Sequence, residues 1–173
     1  MISLDVREAF DSAWWPAILK GLRDAKCPRN LYKLTLDYLK ERKAVININN
    51  FNIEKRITKG CPQGPCCGPG LWNIQYNPIL NLRYTKHTQI IAFADDLVLT
   101  VEAESIGEAE NFANIELNKT AQWATDSKMK FNEEKSKVML LTRRKLKEQK
   151  KVAVYLNNKT TSSTKTEIFG NNN

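Results

Sequence analysis

The sequence predicts an α+β fold, an antiparallel sheet with helices packed on one face, and three observations carry that prediction. Apolar or alternating runs of strand length recur at Ile2 to Val6, Ala44 to Ile48, Phe51 to Ile57, Thr88 to Val101, Val138 to Leu141 and, more weakly, Val152 to Leu156. Between them, apolar residues return at helical spacing after Trp15, Asn30, Leu71 and Ser105. The resulting order of strand, two helices, hairpin, helix, hairpin and helix suits an antiparallel sheet with helices on one face.

Taken in order, Ile2 to Val6 reads as a strand carrying Asp5. Trp15-Pro16 marks a helix start, because Pro suits the first helical position, and Ile18, Leu22 and Ala25 share one face of that helix. Cys27-Pro28 ends it. Asn30 is expected to cap a second helix with Leu31, Leu34 and Tyr38 along its inner stripe. Alternation on both sides of Asn49-Asn50 predicts a hairpin. Lys59 to Gly70 is expected to be loop, since three Gly and three Pro fall between Gly60 and Pro69. Leu71 to Tyr84 reads as a helix kinked near Pro78.

From Ser105 to Asp126, Ile106, Ala109, Ala113, Leu117, Ala121 and Ala124 form a helical stripe, with Glu104, Glu108, Glu110 and Glu116 largely off it as an acidic outer face. Ser105 followed by Glu108 is a capping-box pattern. Met129 to Phe131, a turn at Asn132-Glu133-Glu134 and a strand at Val138 to Leu141 follow. Asn157 to Asn173 is polar and expected to be poorly ordered.

Composition bounds the function. A chain of 173 residues at 42% hydrophobic suits one compact domain with a real core, or a piece of something larger. The net charge of +8 and pI near 9.3 favour a polyanionic partner. The excess is concentrated: Lys128 to Lys151 holds ten Lys/Arg against three Glu. That run reads either as a phosphate-binding surface or as a solvated tail. Cys27, Cys61, Cys66 and Cys67 follow no secretory signal, and three of them cluster, so reduced thiols are expected rather than a disulfide framework. The spacing also lacks the paired C-x₂-C blocks of a zinc site. No apolar run approaches the roughly 18 residues a membrane span needs, so a soluble protein is expected. Met1 opens almost directly into a strand, which suggests a chain cut from a longer reading frame.

Two stretches carry chemistry. Ile90, Ile91 and Phe93 and then Leu97, Val98, Leu99 and Val101 read as two buried strands around Ala94-Asp95-Asp96. Adjacent carboxylates repel, and either turn chemistry or a bound divalent cation explains them. In the loop K-G-C-P-Q-G-P, Gln63 can both donate and accept, in a setting stiffened by Pro62 and opened by Gly64. If the first strand neighbours the hairpin, Asp5, Asp95 and Asp96 converge on one spot. Three carboxylates with two Mg²⁺ make the clamp that in-line phosphoryl or nucleotidyl transfer uses.

Four segments, L-D-V-R-E-A-F-D from Leu4, K-G-C-P-Q-G-P from Lys59, F-A-D-D from Phe93 and F-N-E-E-K-S-K from Phe131, resemble successive palm motifs of reverse transcriptases, above all those of non-LTR (LINE-like) retrotransposons. Their order, with Asp5 and Asp95 90 residues apart, makes a chance match improbable. The resemblance covers roughly residues 1–145, and Glu167-Ile168-Phe169-Gly170 hints at the next motif.

The resemblance implies a polymerase palm, a partial fingers/palm fragment, over residues 1–145, with a basic and polar segment over 146–173 leading towards a thumb. It implies that Asp5 and Asp95 ligate both Mg²⁺ ions, with Mn²⁺ as a substitute, and that Asp96 lies beside them. Phe10 matches the aromatic that excludes a 2′-hydroxyl, its bland alternative being core packing. Gln63 and Gly64 match the loop that positions nucleotide and template. Lys135 matches the lysine proposed to protonate the leaving pyrophosphate, its alternative being a surface lysine. The implied partners are an RNA template, a DNA primer and a deoxynucleoside triphosphate, with no membrane. The expected location is intracellular, nuclear or cytoplasmic.

Fingers, thumb, endonuclease and zinc-binding segments of the family find no match, and Pro65-Cys66-Cys67 departs from its common Ser-containing form. Little activity is therefore expected of the chain alone. Two rivals are a non-catalytic nucleic-acid-binding remnant of the same fold and an RNA-directed RNA polymerase, against which Phe10 speaks.

Overall fold

Alternation along the first strand sets the layering of the sheet: Ile2 and Leu4 are buried while Ser3 and Asp5 are only half-buried, as a strand with one covered face requires. The computed structural model describes residues 1–49, 51–142, 152–157, 159–160 and 163–168. In chain order the elements are β1 (Ile2–Asp5), the short α1 (Ala9–Ser12), α2 (Trp15–Asp24), α3 (Arg29–Leu39), β2 (Lys43–Ile48), β3 (Phe51–Arg56) and α4 (Cys67–Tyr76). A 3₁₀ turn (Asn77–Asn81), β4 (Thr88–Phe93), β5 (Asp96–Val101), α5 (Ile106–Asp126), β6 (Lys137–Thr142), β7 (Tyr155–Leu156), β8 (Lys159–Thr160) and β9 (Ser163–Ile168) follow. The chain divides into two compact units, Met1–Arg7 with the chain from Ile79 onward, and Glu8–Pro78.

In the first unit the sheet order is β4-β5-β1-β6-β9. β1 pairs antiparallel with β5 on one side and β6 on the other. The β6–β9 pair is parallel, so the sheet is antiparallel except at that edge. Ile2, Leu4, Leu97, Leu99 and Val138 are each at most 3% exposed and form the covered face. α5 packs against β5 and β7, and its Ala113, Leu117 and Ala124 are buried. Ser105 caps α5 by accepting the Glu108 N–H at 3.2 Å. The return bond of the expected capping box goes one residue earlier, from the Glu104 N–H to Glu108 Oε2.

Several expectations for this unit are corrected. Asp96 lies inside β5, not in the turn, because Phe93 pairs with Asp96 and leaves Ala94-Asp95 as the two-residue loop. The arms of that hairpin are not both buried: Ile91 and Phe93 are 63% and 80% exposed. Glu116, expected on the acidic outer face, is fully buried. There it accepts the Thr85 N–H at 2.8 Å and pairs with Lys119 at 3.0 Å, fastening the loop before β4. Of the strand expected at Val152 to Leu156, only Tyr155–Leu156 pairs. Ser163–Ile168, in the tail expected to be poorly ordered, runs alongside β6. The boundary expected after residue 145, residues 143–151 of the basic run and Phe169-Gly170 lie outside the described residues.

In the second unit, Pro16 stands in the first turn of α2, and Ile18 and Leu22 are buried, but Ala25 is the exposed C-cap. Pro28, not Asn30, precedes α3 as its N-cap, so Asn30 lies within the helix. The expected inner stripe of α3 faces out: Leu31, Leu34 and Tyr38 are exposed, and Leu39 is the buried residue. β2 and β3 pair from Lys43↔Arg56 to Ile48↔Phe51, as the Asn49-Asn50 signal predicts. The loop expected to run to Gly70 ends at Cys67, because Pro69 falls in the first turn of α4, where a missing N–H costs no helical bond. Gly68 is required there, since a Cβ on it would overlap the Pro62 carbonyl oxygen. The helix expected to Tyr84 with a kink stops instead at Tyr76 and passes into the 3₁₀ turn containing Pro78.

Candidate active site

The site is built from the pleat of the β1–β5 ladder. Leu4 and Leu97 face each other, both fully buried, and the next pair along, Asp5↔Asp96, is turned by the pleat to the opposite face of the sheet. Directly opposed residues hold their Cβ atoms roughly 4.5–5.5 Å apart. Asp5 is half-buried and Asp96 exposed. Asp95 is half-buried in the adjoining turn, whose first residue, Ala94, has a φ of 54°. A positive φ is uncommon for alanine and is a strain that recurs at functional sites.

The structure therefore brings Asp5 and Asp96 into register and leaves Asp95 beside them in the turn. Among the described residues none of the three is in a salt bridge, and no three His, Cys, Asp or Glu side chains close on one point as a metal cage. Two opposed, uncompensated carboxylates fit a hard divalent cation, which is commonly held by one or two carboxylates together with substrate phosphates.

A second segment reaches the same strand. Phe131 bridges Val6, the Asn132 N–H donates to the Asp5 carbonyl at 2.8 Å, and the Arg7 N–H donates to the Lys130 carbonyl at 2.8 Å. Lys135 is exposed in the short loop between Asn132 and Ser136. Ser136, which sequence reasoning missed, is fully buried and accepts the Asp5 N–H through its hydroxyl at 3.3 Å. A serine before a buried strand carries no distinguishing signal in the sequence.

The second unit holds the remaining candidates. The Cys61 N–H donates to the Phe10 carbonyl and the Gly60 N–H to the Ala13 carbonyl, both at 2.7 Å, so the loop is zipped to the Phe10 segment. Trp15 Nε1–H adds a bond to the Gly60 carbonyl at 2.8 Å. The Phe10 ring packs on Trp72 at 5.5 Å between centroids, and Trp72 stacks on Tyr76. Gln63 Nε2–H reaches Asp11 Oδ1 at 3.4 Å, which brings Gln63 near the Phe10 segment. Gly64 has a φ of 103° with open space around it. Burial pushes the Cys61 thiol up to about 11, with Cys67 adding to the effect.

Residues 1–169 match the family described as reverse transcriptase (RNA-dependent DNA polymerase). The chain belongs to the reverse transcriptase family. It is 32% identical over 138 residues to the putative 115 kDa protein of the type-1 retrotransposable element R1DM of Drosophila melanogaster, covering 80% of this chain and 13% of that protein. It is 30% identical over 122 residues to a retrovirus-related Pol polyprotein from the type-1 element R1 of Bradysia coprophila, covering 70% of this chain and 12% of the relative. The RNA-directed DNA polymerase from the mobile element jockey of Drosophila melanogaster is 27% identical over 139 residues, covering 76% and 15%. The resemblance to non-LTR elements is carried by these relatives, and this reverse transcriptase segment spans about an eighth of their length. Reverse transcriptases as a family work with divalent metal ions.

Proposed function

We propose that this chain is the palm of an RNA-directed DNA polymerase that adds a deoxynucleotide to a primer 3′-hydroxyl on an RNA template. The observation that carries the reading is the register pair Asp5–Asp96, two opposed carboxylates with no ion-pair partner among the described residues. Asp5 and Asp95, with Asp96 beside them and in register with Asp5, are the residues that would hold two Mg²⁺ ions or their Mn²⁺ substitutes. Such a pair, when bound, activates the attacking hydroxyl and stabilises charge on the leaving phosphate oxygens.

The other roles fall to the chain's own side chains. Phe10, whose ring packs on Trp72, would exclude a 2′-hydroxyl by its aromatic bulk. Gln63 offers an amide that donates and accepts, and Gly64 lets backbone approach nucleotide or template. Lys135, exposed on its loop, would give a proton to the leaving pyrophosphate. Residues 1–145 form the palm in this reading, and 146–173 lead towards a thumb.

The test compares the chain with an Asp95→Asn, Asp96→Asn double variant, by Mn²⁺ binding and by Mg²⁺-dependent extension of a DNA primer on an RNA template. Metal binding by the parent and its loss in the variant is the expected result, with little or no extension by the chain alone. Equal metal binding by both would overturn the reading. Salt-sensitive RNA binding by both, without metal binding by either, would favour the non-catalytic remnant.

A further inference from the structure

On its β6 side, β1 loses its ladder partner before Asp5. Met1 and Met139 exchange backbone bonds at 2.9 and 2.8 Å, and Ser3 stands opposite Lys137. Continued at that register, Asp5 would face residue 135, but β6 begins at Lys137 and the chain before it swings out through Glu133, Glu134 and Lys135. A strand end with an unpaired N–H frays, and the side chain it carries wanders with it.

Ser136 closes that gap. Its Oγ takes the Asp5 N–H at 3.3 Å and donates its own proton to the Asn132 carbonyl at 2.7 Å, while its backbone N–H reaches the same carbonyl at 2.9 Å. Asn132 in turn donates its N–H to the Asp5 carbonyl. One hydroxyl thus acts as the missing ladder acceptor and also pins the loop that returns to Asp5. It is fully buried, so water cannot take its place without a rearrangement.

We propose that Ser136 is a positioning residue that fixes the Asp5 carboxylate opposite Asp96 and thereby sets the affinity of the site for a divalent cation. The inference rests on the reading of Asp5 as a metal ligand. Its physical basis is that groups holding a ligand in place typically govern metal affinity by ten- to a hundredfold.

The test uses the full chain. Mn²⁺ binding is followed by loss of the free-ion electron paramagnetic resonance signal for the parent, Asp5→Asn, Ser136→Ala, Ser136→Cys and Ser136→Thr. Amide hydrogen exchange at Asp5 and Leu97 is read in metal-free buffer. Expected are affinity roughly tenfold or more weaker in Ser136→Ala, near-parent affinity in Ser136→Thr, and faster Asp5 exchange in Ser136→Ala with Leu97 still protected. Should Ser136→Ala lose Leu97 protection, Ser136→Cys, which keeps the volume but not a strong acceptor, is read in its place. Parent-like affinity in that variant, or an equal loss in Ser136→Thr, overturns the inference while leaving Asp5 a ligand. If Asp5→Asn binds Mn²⁺ as the parent does, the metal-ligand reading falls and this inference falls with it.

Discussion

Asp5 and Asp96 stand directly opposite each other across the β1–β5 ladder, one step beyond the fully buried Leu4–Leu97 pair. Like charges so placed oppose folding, by roughly 0.2–1 kcal/mol for a cross-strand pair. Asp96→Asn is therefore expected to raise stability by that amount in EDTA, read as a higher urea midpoint at unchanged m-value. Millimolar Mg²⁺ should stabilise the parent more than the variant, since a cation that binds only the folded chain adds its binding energy to stability. Destabilisation of the variant in EDTA would mean that the carboxylate serves the fold instead.

Glu116 makes the opposite case, an acid the fold needs. Its two oxygens serve the Thr85 N–H and the Lys119 ammonium, and Lys119 also donates to the Arg83 carbonyl at 3.1 Å. Glu116→Ala strands the Thr85 N–H and is expected to cost about 2–3 kcal/mol, whereas Glu116→Gln keeps an acceptor there and is expected to cost about 1 kcal/mol. Equilibrium denaturation of the two variants decides the point. Equal losses would mean that the ion pair, not the backbone bond, carries the effect.

What was legible in the sequence is what depends on near neighbours. Alternation at Ile2 to Asp5, the Ser105 cap and the Asn49-Asn50 hairpin are short-range patterns, and each is found where expected. The stripe Leu31, Leu34, Tyr38 has the spacing of a core face yet is exposed, because periodicity records that a face is apolar and not what covers it. Glu116 and Ser136 were invisible for a related reason. Their partners, Thr85 and Asp5, lie 31 and 131 residues away, and no local pattern marks a polar residue that a distant loop will bury. Of the candidate site, the sequence brings Asp5, Asp95 and Asp96 together only if the first strand neighbours the hairpin, and the register that sets Asp5 opposite Asp96 comes from the fold.

The Ala94-Asp95 turn supplies a third test. Ala94 holds a φ of 54°, a left-handed conformation that glycine adopts without its steric penalty. Ala94→Gly is expected to stabilise the hairpin by about 0.4–1 kcal/mol, despite the greater freedom glycine gives the unfolded chain. Thermal unfolding should show the gain. A lower melting temperature would mean that the alanine methyl makes packing contacts worth more than the strain it causes.

The Cys61 thiol gives the pH-dependent test. It is 4% exposed, whereas Cys66 and Cys67 are exposed, and burial with a further contribution from Cys67 pushes its pKa up from 9.0 to about 11. Only the thiolate is alkylated, and at about 11 rather than 9.0 the Cys61 thiol carries roughly a hundredth of the thiolate near pH 8 that it would carry unshifted. Iodoacetamide at pH 8 should thus modify Cys66 and Cys67 well before Cys61, which fragmentation of the tryptic peptide 60–83 resolves. Raising the pH should speed the Cys61 reaction about tenfold per unit until pH 11 is reached. The sign for stability follows from the same raised value: the folded chain holds this proton more tightly, so the contribution is complete below pH 9.0 and is lost as pH rises through about 11. Alkylation of Cys61 at pH 8 as fast as that of its exposed neighbours would show that the loop zipped to Phe10 opens in solution.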